Sequence, residues 1–127
     1  MTRGLPFCLA LFVAAVACAS PPAGTPPACN QNPWECPTGQ NCWPESTSTF
    51  GCVTAGSGAA GSQCLDVVGT ASCVAGFGCY QQSSASMGVC VAYCDSQHPC
   101  SSGTCTAATL SCDGSSGPCP SISECVP

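Results

Sequence analysis

Residues Cys64 to Cys90 read CLDVVGTASCVAGFGCYQQSSASMGVC. The stretch carries four cysteines, a glycine between the second and third, and an aromatic residue directly after the third. Upstream, Cys29 to Cys52 follows the same plan. Cys36-Pro-Thr-Gly39-Gln-Asn-Cys42-Trp43 aligns with Cys73-Val-Ala-Gly76-Phe-Gly-Cys79-Tyr80, so both copies share C-x2-G-x2-C followed by an aromatic. A shortened third copy runs through Cys94, Cys100-Ser-Ser-Gly103-Thr-Cys105 and Cys112, with Thr106 in the aromatic's place, and leaves Cys119 and Cys125 as a terminal pair. Self-similarity at fixed spacing marks one small supersecondary unit used repeatedly.

The repeated glycine has a physical reading: a tight turn between two nearby cysteines needs positive φ, which glycine adopts without steric cost. In each copy the last two cysteines bracket a polar stretch with β-formers at its ends. Trp43 and Thr49-Phe50 flank the first, Tyr80 and Gly88-Val89 the second, Thr106 and Thr109-Leu110 the third. Three β-hairpins are the expectation. Four cysteines allow three connectivities, so spacing leaves the pairing open. First-to-third and second-to-fourth pairing within each copy is the expectation.

Composition says what holds such a chain together. Sixteen of its 127 residues are Cys, about 13%, above the roughly 8 to 10% that flags a disulfide scaffold in a short secreted chain. Large apolar residues are sparse once the N-terminal segment is set aside, too sparse for an ordinary core, and cross-links must supply the stability instead. The fold class expected is small and disulfide-rich, mostly irregular with short β-hairpins and little or no helix beyond the leader.

Charge narrows the function. Only one residue is Lys or Arg, against six acids and one His, for a net charge of −5. A nucleic-acid partner is excluded on this balance, because phosphate binding needs a basic patch. The single basic residue is Arg3, so a cationic toxin or an inhibitor aimed at trypsin-like proteases is equally disfavoured.

Residues 1–17, MTRGLPFCLALFVAAVA, place Arg3 ahead of an apolar run from Leu5 to Ala17. This is the pattern of a secretory signal peptide, and the run is short of the roughly 17 to 25 residues that a membrane span needs. Ala15-Val16-Ala17-Cys18 resembles a bacterial lipobox, which implies a thioether-linked diacylglyceryl group on Cys18 and cleavage just before it. The segment 18–28 is then a lipidated Cys with a Pro-rich spacer, CASPPAGTPPA, extended enough to hold a globule off a membrane. Ala19 after that Cys points to the outer membrane. The alternative is cleavage at Ala17-Cys18-Ala19, which releases a soluble, secreted, effector- or ligand-type protein. Loss of Cys8 with the leader and commitment of Cys18 to lipid leave fourteen cysteines, an even number able to pair completely: Cys29, Cys36, Cys42, Cys52, Cys64, Cys73, Cys79, Cys90, Cys94, Cys100, Cys105, Cys112, Cys119 and Cys125.

The organisation expected is therefore module 1 at 29–52, a Gly/Ala/Ser linker at 53–63 read as a flexible joint, module 2 at 64–90, and module 3 with the terminal pair at 91–127. Modules 2 and 3 are separated only by Val91-Ala92-Tyr93 and should pack as one unit. The C-x2-G-x2-C repeats, the lipobox and the spacer together resemble the short cysteine-rich lipoproteins of myxobacterial type. Gly61 to Cys105 is also similar to the Dickkopf N-terminal cysteine-rich module, with the acidic residues of that family's second loop reduced here to Asp66. The resemblance implies an extracytoplasmic interaction or envelope role and supplies no catalytic residue.

Candidate site residues are few. No metal or cofactor is expected, since only Cys90-x3-Cys94 and Cys100-x4-Cys105 have zinc-like spacing and export favours disulfides. His98, the one candidate base, lies in the turn-like Asp95-Ser96-Gln97-His98-Pro99 and is read as an exposed loop residue. Glu35, Glu45, Asp66, Asp95, Asp113 and Glu124 are scattered and read as solubilising charge, so no enzyme is expected. The aromatics are the credible binding elements: either they cover the disulfides, or Trp34, Trp43 and Tyr80 form a recognition face. Partners to consider are the membrane, through the lipid, and an envelope protein or glycan.

Overall fold

The turn glycines adopt the backbone conformation expected of them: φ is +83° at Gly39, +84° at Gly76 and +80° at Gly103. The computed structural model describes residues 28–112 and 117–127. Two 3-10 turns, Cys29–Gln31 and Pro33–Glu35, precede seven short strands: β1 (Gln40–Pro44), β2 (Phe50–Thr54), β3 (Gln63–Cys64), β4 (Phe77–Tyr80), β5 (Gly88–Ala92), β6 (Thr104–Thr109) and β7 (Ser121–Val126). The architecture is small, disulfide-rich and mostly β. Strands β1 and β2 form one antiparallel hairpin, β4 and β5 a second that gains β3 along the free edge of β5, and β6 and β7 a third. Among the described residues no helix is long and apolar enough to cross a membrane.

In each hairpin two cysteines stand directly opposite: Cys42 and Cys52, Cys79 and Cys90, Cys105 and Cys125. Opposed residues of an antiparallel pair project to the same face. Neither cysteine bonds the other. Each reaches back to the loop that precedes the hairpin, giving Cys29–Cys42 with Cys36–Cys52, Cys64–Cys79 with Cys73–Cys90, and Cys94–Cys105 with Cys100–Cys125. The two bridges of a module lie side by side, with the sulfurs of Cys64, Cys73 and Cys90, for example, all within 4.8 Å of one another. Stacked cystine takes the place that aliphatic side chains fill in a larger domain.

First-to-third and second-to-fourth pairing therefore holds in modules 1 and 2. Module 3 departs from it: Cys100 bonds Cys125, and Cys112 bonds Cys119. The third hairpin is also longer than expected. Instead of turning within Thr106–Leu110, β6 runs through Thr109 and pairs with β7. The small residues Ala107 and Ala108 carry no turn signal of their own, whereas DGSSGPCP at 113–120 is dense in Gly, Ser and Pro, and the chain reverses beyond β6 rather than within it. The true fourth cysteine of the third copy is Cys125. Cys112 and Cys119 staple the end of the long hairpin, where Leu110 N also donates to Pro120 O at 2.9 Å.

The Gly/Ala/Ser stretch is a second correction, because its backbone is bonded to module 2 rather than free as a joint. Gly56 N donates to Cys73 O, Gly58 N to Ser72 O and Val74 N to Gly58 O, each at 2.9 Å, and Gly61 N donates to Cys90 O at 2.8 Å. Small residues are needed here for close approach, since a Cβ on Gly58 would sit 2.9 Å from both Cys90 Sγ and Ser72 O.

Two apolar clusters tie the modules together. Cys29, Cys42 and Phe50 of module 1 meet Tyr93 and Ile122 of module 3. Trp43 of module 1 packs with Cys64, Ala71, Cys73 and Cys90 of module 2. Modules 2 and 3 do pack together, through a bond from Tyr93 N to Gly76 O at 3.0 Å and the close approach of Glu124 to Gly78. Module 1 joins them through Asn41, which is fully buried. Its Nδ2 donates to Phe77 O at 2.8 Å and its Oδ1 accepts from Gly76 N at 3.1 Å, so one side chain satisfies the module 2 turn.

Peptide mapping of the unreduced protein should return Cys100 linked to Cys125 and Cys112 linked to Cys119; a Cys100–Cys112 link would contradict the register. By loop length, removal of the Cys112–Cys119 bridge should cost about 2.5 kcal/mol and removal of Cys100–Cys125 about 3.5 kcal/mol. The guanidinium midpoint of the Cys112→Ser/Cys119→Ser protein should fall less than that of Cys100→Ser/Cys125→Ser.

Candidate functional site

Strand β7 alternates, and its inner face carries Ile122 and Glu124. Glu124 is only 5% exposed. Its carboxyl packs against the backbone of Gly78, the residue before Cys79. A Cβ at position 78 would collide with Glu124 Oε1 and stand 2.8 Å from Tyr93 Cε1, so only glycine leaves the carboxyl its place. The equivalent position in module 1 is Asn41, and the two copies have diverged there: one fills the space with its own amide, the other vacates it for a carboxyl from module 3.

The loop Leu65–Thr70 brings a second acid to the same place. It is held by Trp43 Nε1 donating to Val67 O at 2.9 Å, by Gly69 N donating to Pro44 O at 2.7 Å and by Ser72 Oγ donating to Leu65 O at 2.7 Å. Thus fixed, Asp66 stands at the rim of a cavity of about 80 Å³ whose floor includes Glu124 and whose walls include Trp43, Phe50, Tyr93 and Ile122. Asp66 and Thr109 are exposed while Glu124 and the aromatic walls are buried, so the cavity opens on the Asp66 side.

The electrostatics of this cavity are one-sided. Burial, and then the charge of Asp66, push the Glu124 carboxyl up to about 7. Partial desolvation at the cavity rim also raises Asp66. The Tyr93 hydroxyl is raised by burial first and then by Glu124 and Asp66, and it donates to Cys42 O, so it remains a neutral phenol. Among the described residues no hydrogen-bond donor reaches the Glu124 carboxyl, and no buried side-chain oxygen is left unpaired out of contact with open space. The carboxyl therefore faces the cavity. Such a pair can exchange a proton near neutral pH or present two negative charges to a cation.

The aromatic residues read from sequence divide differently. Trp43 is 1% exposed and belongs to the core, because its indole N–H is used to hold the Asp66 loop. A recognition face centred on it is excluded. Trp34 is half-buried and stacks on His98, with ring centroids 3.8 Å apart, and Tyr80 is half-buried at the end of β4. His98 is an exposed loop residue, as expected, and its ring and backbone bond Asp95 Oδ1. Slight desolvation opposes it, but the donors from His98 and Gln97 hold Asp95 below the ordinary carboxylate range. Glu35 and Glu45 are exposed, in keeping with solubilising charge. Glu124 is the correction to that reading, since it is buried. The alternation of Ile122 and Glu124 across one strand face was the signal for it. Cys18 and Asp113 lie outside the described residues. Comparison with protein-family models, with curated proteins and with solved structures returns no match.

The buried acid should leave a mark on stability. In the unfolded chain Glu124 loses its proton near 4.5 and in the fold near 7, so the native state holds the extra proton between these values. The stabilisation this group contributes is fully present below pH 4.5 and is lost, by up to about 3 kcal/mol, as pH rises through 7. Guanidinium midpoints measured from pH 5 to 8 should decline for the wild type and stay nearly level for Glu124→Gln. Trp43→Ala should destabilise by about 3 to 5 kcal/mol in the same assay, the behaviour of a core residue.

Proposed function

We propose that this chain is a non-enzymatic, lipid-anchored protein of the cell envelope, held at the outer membrane or cell surface through Cys18 and displaying its three-module unit for a binding or structural role. One observation carries this reading: all fourteen cysteines from Cys29 to Cys125 are paired in disulfides. A complement of that kind forms in an oxidising, extracytoplasmic compartment and is rare in cytosol. None of these seven bridges draws on Cys18, the position at which the lipobox resemblance implies modification. The Pro-rich spacer suits the display of a rigid unit clear of the bilayer.

The non-enzymatic part rests on the site's contents. Nucleophilic catalysis needs a nucleophile beside a base. Here the His98 ring is engaged by Trp34 and Asp95, and the cysteines are oxidised. The similarity to myxobacterial-type lipoproteins and to the Dickkopf N-terminal module agrees with a role in interaction.

Metabolic labelling with palmitate tests the anchor. The wild-type protein should take up label and sediment with membranes, and Cys18→Ser should lose both. An unlabelled wild type recovered from the medium would replace this reading with a secreted, soluble effector.

A further inference from the structure

We propose that the cavity between Asp66 and Glu124 receives the protonated amine of a lysine side chain from a partner polypeptide. The inference deepens the binding role above and rests on that role, though not on the lipid anchor.

Charge neutralisation is the first constraint on the cavity. Glu124 is buried at 5% exposure, faces a cavity and has no donor among the described residues. The chain contains no lysine or arginine after Arg3. A buried carboxylate without a partner is costly, so either a proton or a cation from outside must accompany it. The cavity of about 80 Å³ corresponds to roughly two to three water volumes, enough for an ammonium group and a short length of its alkyl stem.

The walls specify the kind of cation. Trp43, Phe50, Tyr93 and Ile122 offer apolar and aromatic surface beside the two carboxyls. A divalent metal needs about six or more oxygen ligands, and this lining is too apolar to provide them. An ammonium head on a methylene stem matches both halves: the head gains the carboxylates and the aromatic faces, and the stem gains the apolar wall.

The loop that brings Asp66 to the rim points to a polypeptide as the source. Leu65, Val67 and Val68 flank Asp66 and are 49%, 48% and 48% exposed. Their loop is pinned by the bonds from Trp43 and Gly69, so this apolar tip is presented rather than collapsed. A free amine would leave the tip uncovered, whereas a lysine set between apolar residues would cover it while placing its amine in the cavity.

Binding should be coupled to proton release, because the ammonium competes with the proton on Glu124. The groups facing that carboxyl are Asp66 from the loop and the neutral Tyr93 phenol. Affinity should therefore rise between pH 6 and 8.

The experiment uses the exported, oxidised protein and a short acetylated and amidated peptide, Val-Lys-Leu, followed by NMR titration. The same peptide with norleucine in place of lysine, butylammonium and methylguanidinium serve as comparison ligands. The lysine peptide should bind at least tenfold tighter than the norleucine peptide and several-fold tighter than butylammonium. Glu124→Gln should lose at least tenfold, and Asp66→Asn should lose less. Leu65→Ser/Val68→Ser, at exposed positions, should weaken the peptide and leave butylammonium unchanged. Equal binding of the lysine and norleucine peptides, or an unaffected Glu124→Gln with its seven disulfides intact, would overturn the site. Butylammonium as tight as the peptide would overturn the polypeptide source, and a preference for methylguanidinium would overturn the ammonium. None of these outcomes depends on palmitate incorporation, so the anchor and the pocket fail separately.

Discussion

Two cysteines placed opposite each other on a hairpin project to one face, and in this protein each is bonded to the loop that came before. That constraint makes the rest possible. An isolated two-stranded hairpin is marginal in water, and strands of four to six residues bury little. With a bridge from each strand the preceding loop becomes a lid on the hairpin's inner face, and the paired cystines form the packing surface. The positive-φ glycine sits where the lid turns into the first strand of each hairpin. A side chain there would oppose the turn on which both bridges depend.

A core built this way is thin, and polar groups enter it on strict terms. Among the described residues Asn41 and Glu124 are the two buried polar side chains, and each crosses from its own module into module 2. Asn41 meets donors and acceptors of the Gly76 turn and acts as an internal fastener. Glu124 arrives beside Gly78, Tyr93 and Asp66 and finds another acid instead of a donor. Burial and like charge both favour its protonated form. One side chain completes the fold, while the other is tolerated by it, and the second kind is where a binding role is to be sought.

The third module shows how one added feature redistributes a repeat. Between Cys105 and Cys125, which stand opposite each other on β6 and β7, lies a segment closed by its own bridge, Cys112–Cys119. The longer hairpin lets β7 reach back across module 2, which is how Ile122 joins the first cluster and Glu124 reaches Gly78. Had β6 turned within Thr106–Leu110, neither contact would exist.

Much was legible in the sequence because it rests on local chemistry. The cysteine content required cross-linking in place of a hydrocarbon core, and C-x2-G-x2-C marked the turns; spacing left three connectivities open in each module, and the first two modules adopt first-to-third and second-to-fourth pairing, with every partner less than 20 residues away. Other features depended on which segments meet. The partner of Cys100 is 25 residues on, beyond an inserted loop that local spacing cannot reveal. Val53 to Gln63 looks flexible by composition, and only the approach of Ser72 and Cys73 shows that its glycines serve contact. Trp43 can be read from sequence as a core residue or as a surface anchor, and the loop of Val67 closing over it decides for the core. Asp66 and Glu124 are 58 residues apart in the chain, and the field each exerts on the other exists only once β7 lies beside module 2, because electrostatic coupling follows distance in space and not in sequence.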